Sequence, residues 1–99
     1  MSPKEIEWLS FFEEDGHTIV EIRNDLKEAE NKTAVVNLLA KKYIILKMDN
    51  AILTDEAALK TLNNSALSES EISNIKISIT SEGKSIYFND PDIKQHYAS

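Results

Sequence analysis

Apolar residues recur at helical intervals from the start of the chain, where Ile6, Leu9 and the bulky Trp8, Phe11 and Phe12 form a stripe. Ser2 and Glu5 ahead of it have the spacing of a capping box, and Pro3 takes the first helical position, where its missing N–H costs nothing. Asp15-Gly16 closes the run, with Gly16 suited to the left-handed position after a helix. The pattern predicts a first helix over 3–15. Thr18 and Glu21 repeat the capping-box spacing, and Ile19, Ile22 and Leu26 continue at helical intervals while Arg23, Asp25 and Lys27 point away. A second helix is expected over about 19–28. Asn31 is then the expected N-cap of a third helix over about 32–43, in which Val35, Val36, Leu38, Leu39 and Tyr43 cover most of the circumference. Thr33, Asn37 and Lys41, at i, i+4 and i+8, leave one narrow polar stripe.

The period then changes. Ile44-Ile45-Leu46-Lys47-Met48 is apolar and β-branched, Asp49-Asn50 is a two-residue hairpin turn, and Ala51-Ile52-Leu53 is the return strand. Thr54 caps a fourth helix that opens on Asp55-Glu56 and runs to about Leu62. Residues 63–74 are polar and serine-rich and read as a linker. Ile75-Lys76-Ile77-Ser78-Ile79-Thr80 alternates, as does Ser85-Ile86-Tyr87-Phe88. With Ser81-Glu82-Gly83-Lys84 as the turn, 75–88 reads as a second hairpin with its isoleucines and Phe88 on the covered face. Asn89-Asp90-Pro91 ends it, leaving a short helix or tail. The whole is a single α+β domain over residues 1–99: a helical core over 3–62, the linker, and a C-terminal β-hairpin.

Composition narrows the function. With 99 residues and 41% hydrophobic content the chain carries one core without needing a disulfide or metal, and it has no cysteine for either. No apolar run approaches the ~18 residues that cross a bilayer, and the acidic start lacks the features of a secretory signal, so the expectation is a cytoplasmic protein that does not enter membranes. His17 and His96 lie at opposite ends of the chain with no ligand partner at a metal-binding spacing, and the two glycines build no phosphate loop. The expectation is therefore no enzyme, no cofactor and no metal. The net charge is −6, unevenly distributed: residues 1–30 carry nine acids and three bases, 31–48 four lysines and no acid, and 49–99 eight acids and four bases.

The order helix, helix, helix, hairpin, helix, together with Leu38-Leu39-Ala40-Lys41-Lys42-Tyr43-Ile44-Ile45 and Ile52-Leu53-Thr54-Asp55-Glu56-Ala57, resembles the winged helix-turn-helix superfamily over about residues 3–62. The resemblance implies a three-helix core with a short wing and makes the helix over 32–43 the recognition helix of a small regulator of transcription, with duplex DNA as its partner. On that reading Asn37 suits an adenine edge, Lys32 and Thr33 suit phosphate or base edges, and Lys41, Lys42, Lys47 and Arg23 are counter-charges for the backbone. A homodimer is expected, because one such unit gives little site specificity alone. The alternative is an acidic protein-binding module, a complex subunit or small phage-type inhibitor that binds no nucleic acid; Asp49 at the wing tip and the single arginine suit it. Under either reading Trp8, Phe12, Ile22 and Leu39 belong to the core, and truncating any of them to alanine is expected to cost about 2–5 kcal/mol in a denaturant titration.

Overall fold

Ser2 caps the first helix as its sequence dictates. Its hydroxyl accepts from the Glu5 N–H at 3.2 Å, and the Glu5 carboxylate accepts in return from the Ser2 N–H and hydroxyl at 3.2 and 2.8 Å. The computed structural model describes residues 2–14, 16–63 and 72–89. Their elements are α1 (Pro3–Glu13), β1 (His17–Thr18), α2 (Ile19–Ile22), a 3-10 turn (Asp25–Lys27), α3 (Ala29–Ala40), β2 (Ile44–Met48), β3 (Ala51–Ile52), α4 (Asp55–Asn63), β4 (Ile75–Ile79) and α5 (Ser81–Asn89). The fold is α+β: among the described residues, five helices and a four-stranded antiparallel sheet of order β1-β4-β2-β3.

The turn chemistry explains how α3 hands over to the sheet. Lys42 takes a left-handed conformation (φ 64°), its N–H donates to the Leu39 carbonyl, and the Tyr43 N–H donates to that of Leu38, both at 3.0 Å. This is a Schellman turn with lysine in the position glycine usually fills. The β2–β3 hairpin forms on the expected residues: Met48 pairs with Ala51, and Asp49 and Asn50 both have positive φ (51° and 71°), as a twist-matched two-residue turn requires. Thr54 caps α4 by accepting from the Ala57 N–H at 3.2 Å. One face of β2 and β4 (Ile44, Leu46, Ile75, Ile77, Ile79) is buried together with Leu9 and Phe12 of α1, Ile19 and Ile22 of α2, and Val35, Leu38 and Leu39 of α3. The helices α1 and α2 lie on β4, and α3 on β2 and α1.

Four expectations change. The second helix is a single turn followed by the separate 3-10 turn: Arg23 and Asn24 keep helical dihedrals, but the bonds from Arg23 N–H to Val20 and from Lys27 N–H to Asn24 span three residues instead of four. The third helix runs from Ala29 to Ala40 instead of from Lys32 to Tyr43, so Lys41 and Lys42 lie in the turn that ends it, and Asn31 is a buried residue inside it (7% exposed) instead of its cap. Trp8 is half-buried, whereas Phe12, Ile22 and Leu39 are core. The C-terminal hairpin over 75–88 does not form: β4 is followed by a helix. β2 pairs along the whole of one edge of β4, and β1 pairs with Lys76 and Ile77 on the other. Thr80 instead starts α5, accepting from the Gly83 N–H at 3.0 Å through its hydroxyl and from Lys84 at 2.9 Å through its carbonyl. Phe88, expected on a covered face, is 54% exposed. Most of the expected linker (64–71) and the tail after Asn89 lie outside the described residues. No helix among the described residues is long and apolar enough to cross a membrane.

Gly83 has a specific packing role. Thr80 donates its hydroxyl to the Lys42 carbonyl at 2.7 Å and its N–H to that of Tyr43 at 2.9 Å, which draws α5 onto the end of α3. A Cβ on Gly83 would collide with the Tyr43 carbonyl and with the Ile79 side chain. Alanine is the better helix former by about 1 kcal/mol, yet Gly83→Ala is expected to destabilise the fold by about 1–3 kcal/mol. Urea denaturation of the two proteins measures the sign.

Candidate functional site

The segment 23–32 (RNDLKEAENK) mixes both charge signs along the chain, and the fold sorts them. Asp25 and Glu28, three residues apart, share a side of the 3-10 turn and the start of α3, and Asn31 continues that row. The Asn31 amide is satisfied from both ends: its Oδ1 accepts from the Trp8 indole N–H at 3.1 Å, and its Nδ2 donates to the Asp25 carbonyl at 2.9 Å and to Glu28 Oε2 at 3.4 Å. Trp8, Asp25 and Asn31 line an open groove of about 440 Å³ between α1 and the 3-10 turn. Trp8 and Phe11 supply its apolar surface, and Glu7, Asp25 and Glu28 its carboxylates. Its one cation, Lys4, sits 3.6 Å from Glu7. The two rings pack edge to face at 5.6 Å between centroids, and Trp8 stacks on the buried Phe12 at 5.5 Å, so the aromatic surface is held from below.

Arg23 and Lys27, four apart, fall on the other side. With Lys32 they line a cleft of about 680 Å³ between α2, the 3-10 turn, the start of α3 and the end of α4.

The residues expected to read DNA are distributed over separate places. Thr33, exposed, and Asn37, half-buried, line a third groove of about 560 Å³ along α1 and α3, together with Glu5, Glu7 and Glu30. Lys41 donates to Glu5 Oε1 at 2.7 Å, so the lysine at the end of the polar stripe meets a carboxylate that is itself only 6% exposed. Lys42 is exposed at the left-handed turn. Lys47 lies on the sheet face turned away from the helices, directly opposite Lys76. Arg23 and Lys32 are brought together, in the cleft. The acidic groove and the place of Lys27 were missed from sequence. Their signal is present as the three-residue step from Asp25 to Glu28 and the four-residue step from Arg23 to Lys27, hidden by reading one continuous helix there.

His17 offers no catalytic set. Its ring stacks on Phe11 at 3.8 Å between centroids, and its Nδ1 meets Glu21 Oε2 at 2.9 Å. That hydrogen bond, against a smaller desolvation effect, holds the exposed Glu21 carboxyl below its ordinary pKa. Among the described residues no cluster of histidine and carboxylate side chains has the makings of a metal site.

Burial raises the pKa of Glu5, but the bonds from Lys41 and from the Ser2 hydroxyl and N–H together outweigh it and leave the group below its ordinary value near 4.5. The sign follows: a depressed folded pKa contributes stability in full above the unfolded value, and that contribution drains away as the pH falls from about 4.5 through the folded pKa. Glu5→Gln keeps one acceptor oxygen for the capping box, removes the charge and sets an NH2 group where Oε1 accepted from Lys41. The variant is expected to be less stable by about 1–2 kcal/mol at pH 7, with the gap closing in acid, as thermal melts across pH 3–7 would show.

Comparison of the chain with protein-family models, curated proteins and solved structures finds no match.

Proposed function

We propose that this protein is a docking module that receives a basic segment of a partner protein in the groove between α1 and the 3-10 turn. The observation that carries the reading is the pairing of a Trp8–Phe11 surface with the carboxylates of Glu7, Asp25 and Glu28, against a single cation already beside Glu7. Arginine and lysine side chains fit such a surface in two ways at once. Their methylene stems lie on apolar rings while their heads meet carboxylates, and a cation over an indole gains further from the ring quadrupole. The neighbouring groove along α1 and α3 adds Glu30, so the acidic surface continues beyond one side chain's reach. The net charge of −6 favours encounter with a basic partner and slows approach to nucleic acid.

A winged-helix core over 3–62 draws support from the order of α1, α2, α3, the β2–β3 hairpin and α4. Reading of duplex DNA by α3 has less behind it. Lys41 is paired with Glu5, Thr33 and Asn37 stand among carboxylates, and the hairpin tip carries Asp49. Phosphate contacts from these positions would be made against that local field.

Trp8 is the only tryptophan, so its emission reports directly on the groove. Titration with an oligo-arginine peptide is expected to change that emission saturably, more tightly at low salt than at physiological salt. The Asp25→Asn/Glu28→Gln variant is expected to weaken the interaction about tenfold or more. A random duplex is expected to give no gel shift even at low salt. Absence of a peptide response overturns the proposal, as does salt-sensitive duplex binding that Lys41→Glu/Lys42→Glu abolishes.

A further inference from the structure

The register of the four strands places Ile52, Lys47, Lys76 and Thr18 side by side in one row across the sheet. Ile52 is opposite Lys47, Lys47 opposite Lys76, and Lys76 opposite Thr18. At the usual strand spacing the row is about 14 Å long. Ile45 and Ser78, opposite each other, stand beside it on the same face. The helices α1, α2 and α3 pack on the other face, where Leu46, Ile75 and Ile77 are buried. The paired residues of the outward face are therefore two lysines, two isoleucines and two hydroxyl residues, with no acid among them.

Both charges are unmet. Among the described residues the ion pairs of lysine belong to Lys4, Lys41 and Lys60, and neither Lys47 nor Lys76 has a carboxylate partner. Asp49 stands beyond the row at the hairpin tip, and the Glu21 carboxylate is held by His17 Nδ1 at 2.9 Å. Like charges directly opposite one another on a sheet repel. Lysines often guard an edge strand against pairing with another chain, but in the order β1-β4-β2-β3 these two stand on the central strands. Edge protection does not account for them. Ile52, on the edge strand itself, is 62% exposed, so the same row carries apolar surface in contact with water.

We infer that this face docks an acidic segment of a partner protein, laid across the strands with carboxylates at Lys47 and Lys76 and an apolar side chain on Ile52. Charge complementarity selects the occupant. The segment supplies the counter-charges that the described part of the chain does not, and it removes the repulsion between the two ammonium groups. A second copy of the chain seated face to face would instead bring lysine toward lysine. The half-buried Ser78 adds a hydroxyl beside the row that can donate to a carbonyl of the segment. Because α1 packs on the opposite face of the sheet, occupancy here is independent of docking in the groove of Trp8 and Phe11.

The probe is a blocked peptide of alternating glutamate and leucine, followed by amide NMR shifts of the intact chain, with a serine–leucine peptide of the same length alongside. The acidic peptide is expected to shift the amides of Lys47, Ile52, Lys76 and Ser78 saturably, with a Kd of about 1 mM or tighter in low salt and weaker binding at physiological salt. Lys47→Gln/Lys76→Gln is expected to weaken binding about tenfold or more and, by removing the repulsion, to leave the melting temperature equal or higher. Ile52→Ser, at an exposed position, is expected to weaken it about threefold, and Lys60→Gln on the exposed side of α4 to leave it unchanged. No saturable response, an equal response to the serine–leucine peptide, or indifference to the double variant overturns the inference. So do tighter binding of a random duplex at the same amides, and concentration-dependent shifts of those amides without peptide, which assign the face to nucleic acid and to a second copy respectively. The Trp8 emission titration is read separately, so failure here leaves the groove proposal standing and the converse also holds.

Discussion

The fold turns on the buried amide of Asn31. An amide withdrawn from water must find its hydrogen bonds within the protein or forfeit roughly 1–3 kcal/mol, and Asn31 finds them on two other elements, the Trp8 indole of α1 and the Asp25 carbonyl of the 3-10 turn. Three pieces of chain are thereby set in one rotation relative to one another. That rotation decides which side of segment 23–32 faces α1 and which faces α4. The acidic groove and the cationic cleft are the two consequences of a single choice.

A second polar contact holds the other end of the α1–α3 pair. Glu5 is at once the third residue of a capping box and the partner of Lys41, so the beginning of α1 and the end of α3 are joined by a carboxylate that is almost wholly buried. Buried charge is tolerable only when paired and hydrogen-bonded, and Glu5 accepts from both Ser2 and Lys41. The cost to any nucleic-acid role is direct, because a lysine committed to a neighbour in this way is a weaker counter-ion for phosphate. The sheet contributes differently. Its outer face places Lys47 opposite Lys76, an arrangement that like-charge repulsion disfavours, while the inner face is uniformly aliphatic. Ile52, 62% exposed on the short edge strand β3, adds an apolar position at that margin.

Local chemistry was legible wherever one residue type has few alternatives. The Ser2 capping box, the Thr18 and Thr54 caps, the Asp49-Asn50 turn and the alternation of Ile75, Ile77 and Ile79 all appear where their spacing places them. Legibility stopped where a short segment could satisfy two patterns. Ser85-Ile86-Tyr87-Phe88 alternates like a strand and is helical, in a helix that Thr80 caps through its hydroxyl and whose start is tied by Thr80 to the Lys42 and Tyr43 carbonyls. Asn31 has the character of a helix cap and is instead an interior bridge, because Trp8, distant in sequence, offers its N–H there.

What the chain alone determined is the inventory: one α+β core, an acidic balance with a basic interval, no thiol chemistry, and the starts of α1, β2, β3 and β4. These follow from short-range sterics, capping and periodicity, which act over a few residues. The tertiary structure decided how charge is presented. Alternating acids and bases average to a weak field when read linearly. Only once α1 and α4 close on either side of segment 23–32 do they separate into two surfaces of opposite sign, because the side a charge faces depends on burial imposed by residues far away in sequence.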